Sequence, residues 1–152
     1  MKVSAGLLMF RRTPGGLEVL LAHPGGPFFR NKDDGAWTIP KGEAVENEDL
    51  TDRAKIEFEE ELGIKPAGEL VPIGSVKQKG GKIVHAWAIE GDLPNDFIAT
   101  SNTFELEWPP HSGTIQSFPE VDQARFFSLE EARRKINPAQ KDFLDRLEEM
   151  LQ

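Results

Sequence analysis

The sequence predicts one α+β domain in which paired strands alternate with helices, and three observations support that expectation. Apolar residues recur with strand spacing in two hairpin-like stretches, 3–23 and 70–90, each broken by a glycine-containing turn. Between them, an acid-rich stretch at 49–62 opens on a capping residue and stops at a glycine, as a helix does. A strand, a short helix and a longer amphipathic helix then close the chain over 119–151. With 152 residues and 38% hydrophobic content, residues 1–152 read as a single domain large enough for a real core.

Taken in order, Val3 to Arg12 and Leu17 to His23 read as strands joined by the turn Thr13-Pro14-Gly15-Gly16. The run Val19-Leu20-Leu21 suits a strand buried on both faces. Pro24-Gly25-Gly26-Pro27 breaks the chain, and Phe28 to Gly35 follows as an aromatic and basic loop. That loop would either close over a ligand with Arg30 and Lys32 or lie on the surface with two packed phenylalanines. Trp37 to Pro40 reads as a short strand that delivers Lys41 and Gly42 to the acidic stretch. Asp49 is the expected N-cap of the helix over 49–62, with Asp52 where a capping-box acid stands. Gly63 is its expected C′ residue, and Lys65-Pro66 prevents continuation.

Leu70 to Gln78 and Lys82 to Glu90 form the next expected hairpin, turning at Lys79-Gly80-Gly81. His85 lies inside its second strand, where a histidine is more often packed than catalytic. Residues 92–118 read as an irregular insertion, with Phe104-Glu105-Leu106-Glu107-Trp108 alternating like a half-exposed edge strand. Loops of this length are usually functional or mobile. Phe104, Trp108 and Phe118 would stack on a base or pack the loop down. Pro119 to Phe127 reads as the last strand, with helices at about 128–136 (capped by Ser128) and 139–151. The second turns Phe143, Leu144, Leu147 and Leu151 inward.

The formal net charge of −8 comes from acids spread along the chain, which excludes a general nucleic-acid surface built on clustered lysine and arginine. It leaves room for small phosphorylated substrates if a metal supplies positive charge locally. The absence of cysteine excludes a disulfide framework and thiol chemistry. The apolar run in Met1 to Phe10 is too short for a signal segment or a membrane span. The expectation is a soluble cytoplasmic protein with no membrane partner, its oligomeric state open.

The acidic helix is the unusual feature. Four glutamates fall in the five positions Glu57 to Glu61, although like charges one turn apart cost about 0.2–0.5 kcal/mol per pair. At about 100° per residue, Glu57, Glu60 and Glu61 share one arc of about 100°. Asp52, Lys55 and Glu59 lie on roughly the opposite side, and Ala54, Phe58 and Leu62 form the apolar flank. Two polar faces exceed what a simple amphipathic helix needs. A hard divalent cation, which takes oxygen ligands, would favour such a cluster; a charge-rich solvated helix is the bland alternative.

The stretch Gly42 to Ile64 resembles the Nudix box. That pattern reads Gly, five residues, Glu, seven residues, Arg-Glu, a bulky residue, any residue, Glu-Glu, any residue, Gly, and a bulky aliphatic residue. Gly42, Glu48, Glu57, Phe58, Glu60, Glu61, Gly63 and Ile64 fit, and Ile56 stands where the family has arginine. The lead-in Gly35-Ala36-Trp37-Thr38-Ile39-Pro40-Lys41-Gly42 resembles that of Nudix enzymes acting on dinucleoside polyphosphates and diphosphoinositol phosphates.

The resemblance implies an α/β/α sandwich with a mixed central sheet and flanking helices. It implies a Mg²⁺-dependent hydrolase, with Mn²⁺ as alternative metal, that cleaves a diphosphate linkage in a small nucleotide-like substrate such as a dinucleoside polyphosphate or nucleoside triphosphate. Glu57, Glu60 and Glu61 are then the metal ligands, with the Gly42 carbonyl as a fourth. The general base would be Glu57 or Glu120, with Glu105 and Glu107 as rivals to Glu120. Lys41 would sit beside the phosphates, with Arg30 as a second substrate contact. The family arginine is thought to hold the loop–helix junction, which isoleucine cannot do by hydrogen bonding. Arg53, one turn before Glu57 on the same arc, is the expected substitute. The alternative function is a Nudix-fold binding or sensor module with weakened catalysis.

Overall fold

A single mixed sheet, apolar on both faces, holds the protein together. The computed structural model describes residues 2–152. In chain order these form β1 (Val3–Thr13), β2 (Gly16–Pro24), β3 (Lys41–Glu43), α1 (Leu50–Leu62), β4 (Val71–Lys77), β5 (Ile83–Glu90), β6 (Thr103–Glu107), β7 (Ile115–Pro119), β8 (Val121–Ser128), α2 (Leu129–Lys135) and α3 (Lys141–Met150). The main sheet runs β4-β5-β1-β2-β8, and β3 pairs with β1 beside β2. β1 and β5 are parallel, while the other pairings are antiparallel.

Side chains alternate faces along a strand, so β1 feeds two cores. Ala5, Leu7 and Met9 join Ala54, Phe58 and Leu62 of α1 on one side. Leu8 and Phe10 join Ala132 of α2, the adjoining Ile136, and Phe143, Leu144 and Leu147 of α3 on the other. In β2, Leu20 belongs to the first core and Val19 and Leu21 to the second, as expected of a strand buried on both faces. The architecture is therefore the α/β/α sandwich with a mixed sheet that the resemblance implied.

The site is created where β1 and β2 separate. They pair only between Phe10–Thr13 and Gly16–Val19; at the other end of β1, Ser4, Ala5 and Gly6 pair with β3 instead. Residues 38–43 are wedged into the gap. Thr38 exchanges both backbone hydrogen bonds with Ala22 of β2 (2.8 and 2.9 Å), and two residues later Pro40 accepts from Leu7 N–H of β1 at 3.1 Å. This explains why the strand expected at Trp37–Pro40 is reduced to isolated bridges at Trp37 and Thr38, with regular pairing only from Lys41. The segment is changing partners there, and Pro40 has no N–H for a ladder. Gln140, fully buried, braces the wedge from behind: its Oε1 accepts from Ile39 N–H at 3.0 Å.

Two further differences from the sequence expectation concern the insertion. Residues 103–119 form a separate two-stranded sheet, β6 with β7, rather than one edge strand in irregular chain. Glu120 then interrupts what reads as one strand, leaving β8 to start at Val121. Apolar alternation is weak in β7, whose Ile115, Gln116 and Ser117 are exposed, so it left no signal of periodicity to read.

Replacing Gln140 with leucine keeps its bulk but leaves the Ile39 N–H buried without a partner. The expected cost is about 1–3 kcal/mol, read as a lower urea midpoint with an unchanged denaturant slope.

Candidate active site

Local sequence sets the phase of α1. The Asp49 side chain accepts from the backbone N–H groups of Thr51 and Asp52, and Gly63 ends the helix at a left-handed φ of 77°. Ala54, Phe58 and Leu62 are buried against the sheet, which turns Glu57, Glu60 and Glu61 toward a cavity of about 660 Å³ between α1, the 38–43 wedge and the β7–β8 corner. Lys41, Gly42 and Glu120 line the same cavity.

Gly42 lies directly against Glu57. A Cβ at residue 42 would fall 1.9 Å from the Glu57 carboxyl carbon, so glycine leaves the space that the Glu57 carboxylate occupies. Glu61 Oε2 accepts from the Lys41 backbone N–H at 3.1 Å. Burial, reinforced by the Glu57 and Glu120 carboxylates against the opposing pull of Lys41, pushes the Glu61 carboxyl up to about 8. Burial also raises Glu57, and Glu60 and Glu120 add to the effect while Arg53 opposes it. Lys41 is pushed down to about 8 by burial and by Lys82, against the counter-pull of Glu61 and Glu57. The cavity is thus short of positive charge on its acidic wall.

Glu120 is held there by its backbone. Its N–H donates to Asn102 O at 2.8 Å and its carbonyl accepts from Gly25 N–H at 3.0 Å. Next to it, Val121 N–H donates to Ser101 Oγ at 3.0 Å. Asn102 N–H in turn donates to Glu60 O at 3.1 Å, so the corner is tied to the last turns of α1. Gly25 permits this, because a Cβ there would lie 2.0 Å from Pro119 O.

Arg53, rather than Ile56, is bonded at the loop–helix junction. Its Nε donates to both Glu48 oxygens (2.9 and 3.1 Å), and its other nitrogens reach Glu48 Oε2 at 2.7 Å and Glu57 Oε1 at 3.2 Å. Hydrogen bonding with Glu48 raises its pKa, and Glu48 is lowered by the same contact. Ile56 is 40% exposed, away from this network.

Other sequence candidates are placed elsewhere. Arg30 sits on the exposed loop and does not line the cavity; its neighbour Phe29 does. Glu107 accepts from His111 and Gly113 N–H groups at the tip of the β6–β7 hairpin, and neither it nor Glu105 lines the cavity. Phe104 packs on Gly26 and beside Phe118, while Phe28 meets Trp108 edge-on at 5.4 Å. These aromatics pin the hairpin down. His85 is half-buried in β5 and away from the cavity. Lys82, Gln78, Asn102 and Asn137 line the cavity without having been singled out by sequence. Only the Gly-Gly before Lys82 hinted at a special position.

As a donor set, clustered carboxylates with raised pKa values and a nearby backbone carbonyl fit a hard divalent cation. Among the described residues, no three His, Asp or Glu side chains already converge at ligand spacing. Glu57 and Glu61 are instead engaged by Arg53 and by the Lys41 N–H. The donor chemistry fits; the carboxylates line the cavity walls and would have to turn inward to share an ion.

The family model described as NUDIX domain matches residues 1–147. Among solved structures, the chain resembles an Ap4A hydrolase binary complex from C. elegans (TM-score 0.67, 23% identity, covering 99% of this chain and 98% of that one). It also resembles the NUDIX domain of Shewanella oneidensis NrtR complexed with ADP ribose (TM-score 0.66, 14% identity, 99% and 88% covered). A third similar structure is the Nudix hydrolase RenU from M. smegmatis (TM-score 0.61, 21% identity, 97% and 84% covered). At these identities the likeness establishes the fold. No curated protein sequence matches the chain.

The Gly42–Glu57 contact predicts a specific coupling. Gly42→Ala should destabilise by about 1 kcal/mol, at the low end of overpacking costs, because the methyl meets only the movable end of the Glu57 side chain. Adding Glu57→Ala should restore most of that loss, because it removes the atoms the new methyl meets. A double-mutant cycle by denaturant unfolding measures this, and additive losses would contradict the contact.

Proposed function

Because the chain belongs to the NUDIX family, we propose that it is a Mg²⁺-dependent pyrophosphohydrolase that cleaves a diphosphate linkage in a small nucleotide-like substrate. Mn²⁺ is the alternative metal, and the proposed setting is cytoplasmic. One observation weighs most in favour: Glu57, Glu60, Glu61 and Glu120 line a single cavity with Lys41, although they come from three separate parts of the chain.

In this reading Glu57, Glu60 and Glu61, with the Gly42 carbonyl, would hold the divalent cation, which when bound would supply charge neutralisation of phosphate oxygens and a lowered pKa for an attacking water. Glu120 faces Glu57 and Glu61 from the opposite wall closely enough to raise both. We assign it the proton from that water on its place, because it lines the same cavity as Glu57, Glu60 and Glu61 from a separate segment of the chain. Lys41 reaches the cavity from β3 as a compact charge for a phosphate oxygen. Arg53 positions Glu57 and keeps Glu48 at the start of the helix. Two of the similar structures are an Ap4A hydrolase and an ADP-ribose complex, which puts dinucleoside polyphosphates and nucleotide sugars first among substrates to test.

Release of phosphate or pyrophosphate from a nucleotide panel with Mg²⁺ is the direct assay. Glu120→Gln should lower kcat by about 10²–10⁴-fold if it is the base. Arg53→Ala should cost about 10–100-fold, as loss of a ligand's supporting partner does, while Ile56→Arg should leave turnover unchanged. Inactivity toward the whole panel, with nucleotide binding indifferent to metal, would sink the hydrolase and favour the sensor module.

A further inference from the structure

His23 stands near the end of β2, between the cavity-lining residues Ala22 and Pro24, and has no part in the reading above. Its ring is buried, and both ring nitrogens meet oxygen. Nδ1 lies 2.8 Å from Asp122 Oδ1 of β8, and Nε2 lies 2.6 Å from the Lys32 carbonyl oxygen. Trp37 meets the ring edge-on, with centroids 5.1 Å apart. A neutral imidazole has one N–H and one bare nitrogen, whereas a carbonyl oxygen and a carboxylate can only accept. A neutral ring would therefore set a lone pair against an oxygen at one end. The imidazolium, with a donor on each nitrogen, satisfies both contacts.

The charges around the ring agree with this. Asp122 faces it from β8 and Asp33 from the loop, with Lys135 at the end of α2 paired to Asp33. Asp33 is lowered chiefly by its hydrogen bonds from Lys135 and Trp37, and His23 lowers it further. The loop that the ring holds is exposed from Phe28 to Asp34. Within it, Lys32 N–H donates to Phe29 O at 2.9 Å, and the Lys32 ammonium lies 5.5 Å from the Phe29 ring centroid. Lys32 and Phe29 are thus the two ends of one turn, and Phe29 lines the cavity. A buried donor on the Lys32 carbonyl therefore sets where Phe29 stands.

We propose that His23 is a positioning residue which, as an imidazolium, bridges Asp122 to the Lys32 carbonyl and so holds Phe29 at the cavity wall. Histidine is the side chain whose charge ordinarily changes between about pH 5 and 8. The sign follows from the partners. The charged ring keeps both bonds, so the bridge is closed at lower pH and opens as pH rises through the titration of the ring. The bond that survives is Nδ1–H to Asp122, because an ionised acceptor makes the stronger hydrogen bond. The Lys32 carbonyl then loses its donor, and the turn carrying Phe29 is freed from β2. The proposal rests on the hydrolase reading only for what fills the cavity.

A pH titration of the full chain by NMR tests it, with His23 assigned among the three histidines by His23→Gln. The ring should lose its proton from Nε2, and the Lys32 carbonyl carbon and the Phe29 ring signals should move at the same pH. Asp122→Asn, at a half-exposed position, removes negative charge and should carry all three transitions together to lower pH. A proton lost from Nδ1, or a Lys32 carbonyl that does not follow the ring, overturns the bridge. With the substrate found in the nucleotide panel, KM should rise through this transition by on the order of threefold to tenfold, as loss of one net hydrogen bond does, and kcat should change less. Lys41 and Glu61 are both shifted to about 8, so the step that counts is the one Asp122→Asn displaces. That step should be missing from His23→Gln and from Phe29→Ala; its survival in either overturns the positioning role. Coupled His23 and Lys32 transitions in a protein that hydrolyses nothing would leave the bridge standing and remove the hydrolase, so the two readings fail separately.

Discussion

The Glu57 carboxylate lies against the bare backbone of Gly42, and the rest of the site depends on that contact. Beside it Glu61 takes the Lys41 N–H, and Lys41 lines the same cavity. The arrangement buries two carboxylates in a way their own chemistry resists, since burial raises both Glu57 and Glu61. A fold does not hold carboxylates under such conditions without offsetting interactions. Arg53 is one of them, bonded to Glu57 and Glu48. The others are the two apolar cores, which fix α1 through Phe58 and Leu62 whatever the glutamates prefer.

The same fold sorts charge on a chain that is acidic as a whole. Acids gather on the α1 wall, while Lys2 before β1, Lys41 of β3, Lys77 of β4 and Lys82 before β5 gather where the parallel pair begins. Neither group neutralises the other by direct pairing in the described residues. Direct pairing would satisfy the protein and leave nothing for a ligand. Unpaired walls of opposite sign keep a strong local field across the cavity.

What was legible in the sequence followed from periodicity and spacing. The phase of α1 could be read because Ala54, Phe58 and Leu62 recur at helical intervals, which placed Glu57, Glu60 and Glu61 together. Arg53 was found by the same angular reasoning, although no pattern names it. The missed features have no local signature. β6 alternates but its partner β7 does not, and Pro40 obscured where β3 begins. Gln140 braces Ile39 across 101 positions, and Lys82 meets Lys41 only because β1 carries β3 on one side and β5 on the other. Arg30 looked equal to its neighbours in a loop whose only contribution to the cavity is Phe29.

Glu120 shows why a residue in an irregular stretch can be placed as firmly as one on a helix. Loops are mobile when their backbone groups face water. Here the N–H and the carbonyl of Glu120 are both bonded within the protein, and Ser101 fixes the next residue. Because Asn102 bonds both Glu60 O and Glu120 N–H, the corner and the helix move as one body. The main chain of Glu120 cannot leave the acidic wall without breaking backbone bonds to two other segments. Its position relative to the acidic wall is therefore a property of main-chain hydrogen bonding rather than of side-chain packing. That is why the resemblance to a family, and not residue type or periodicity, singled out Glu120.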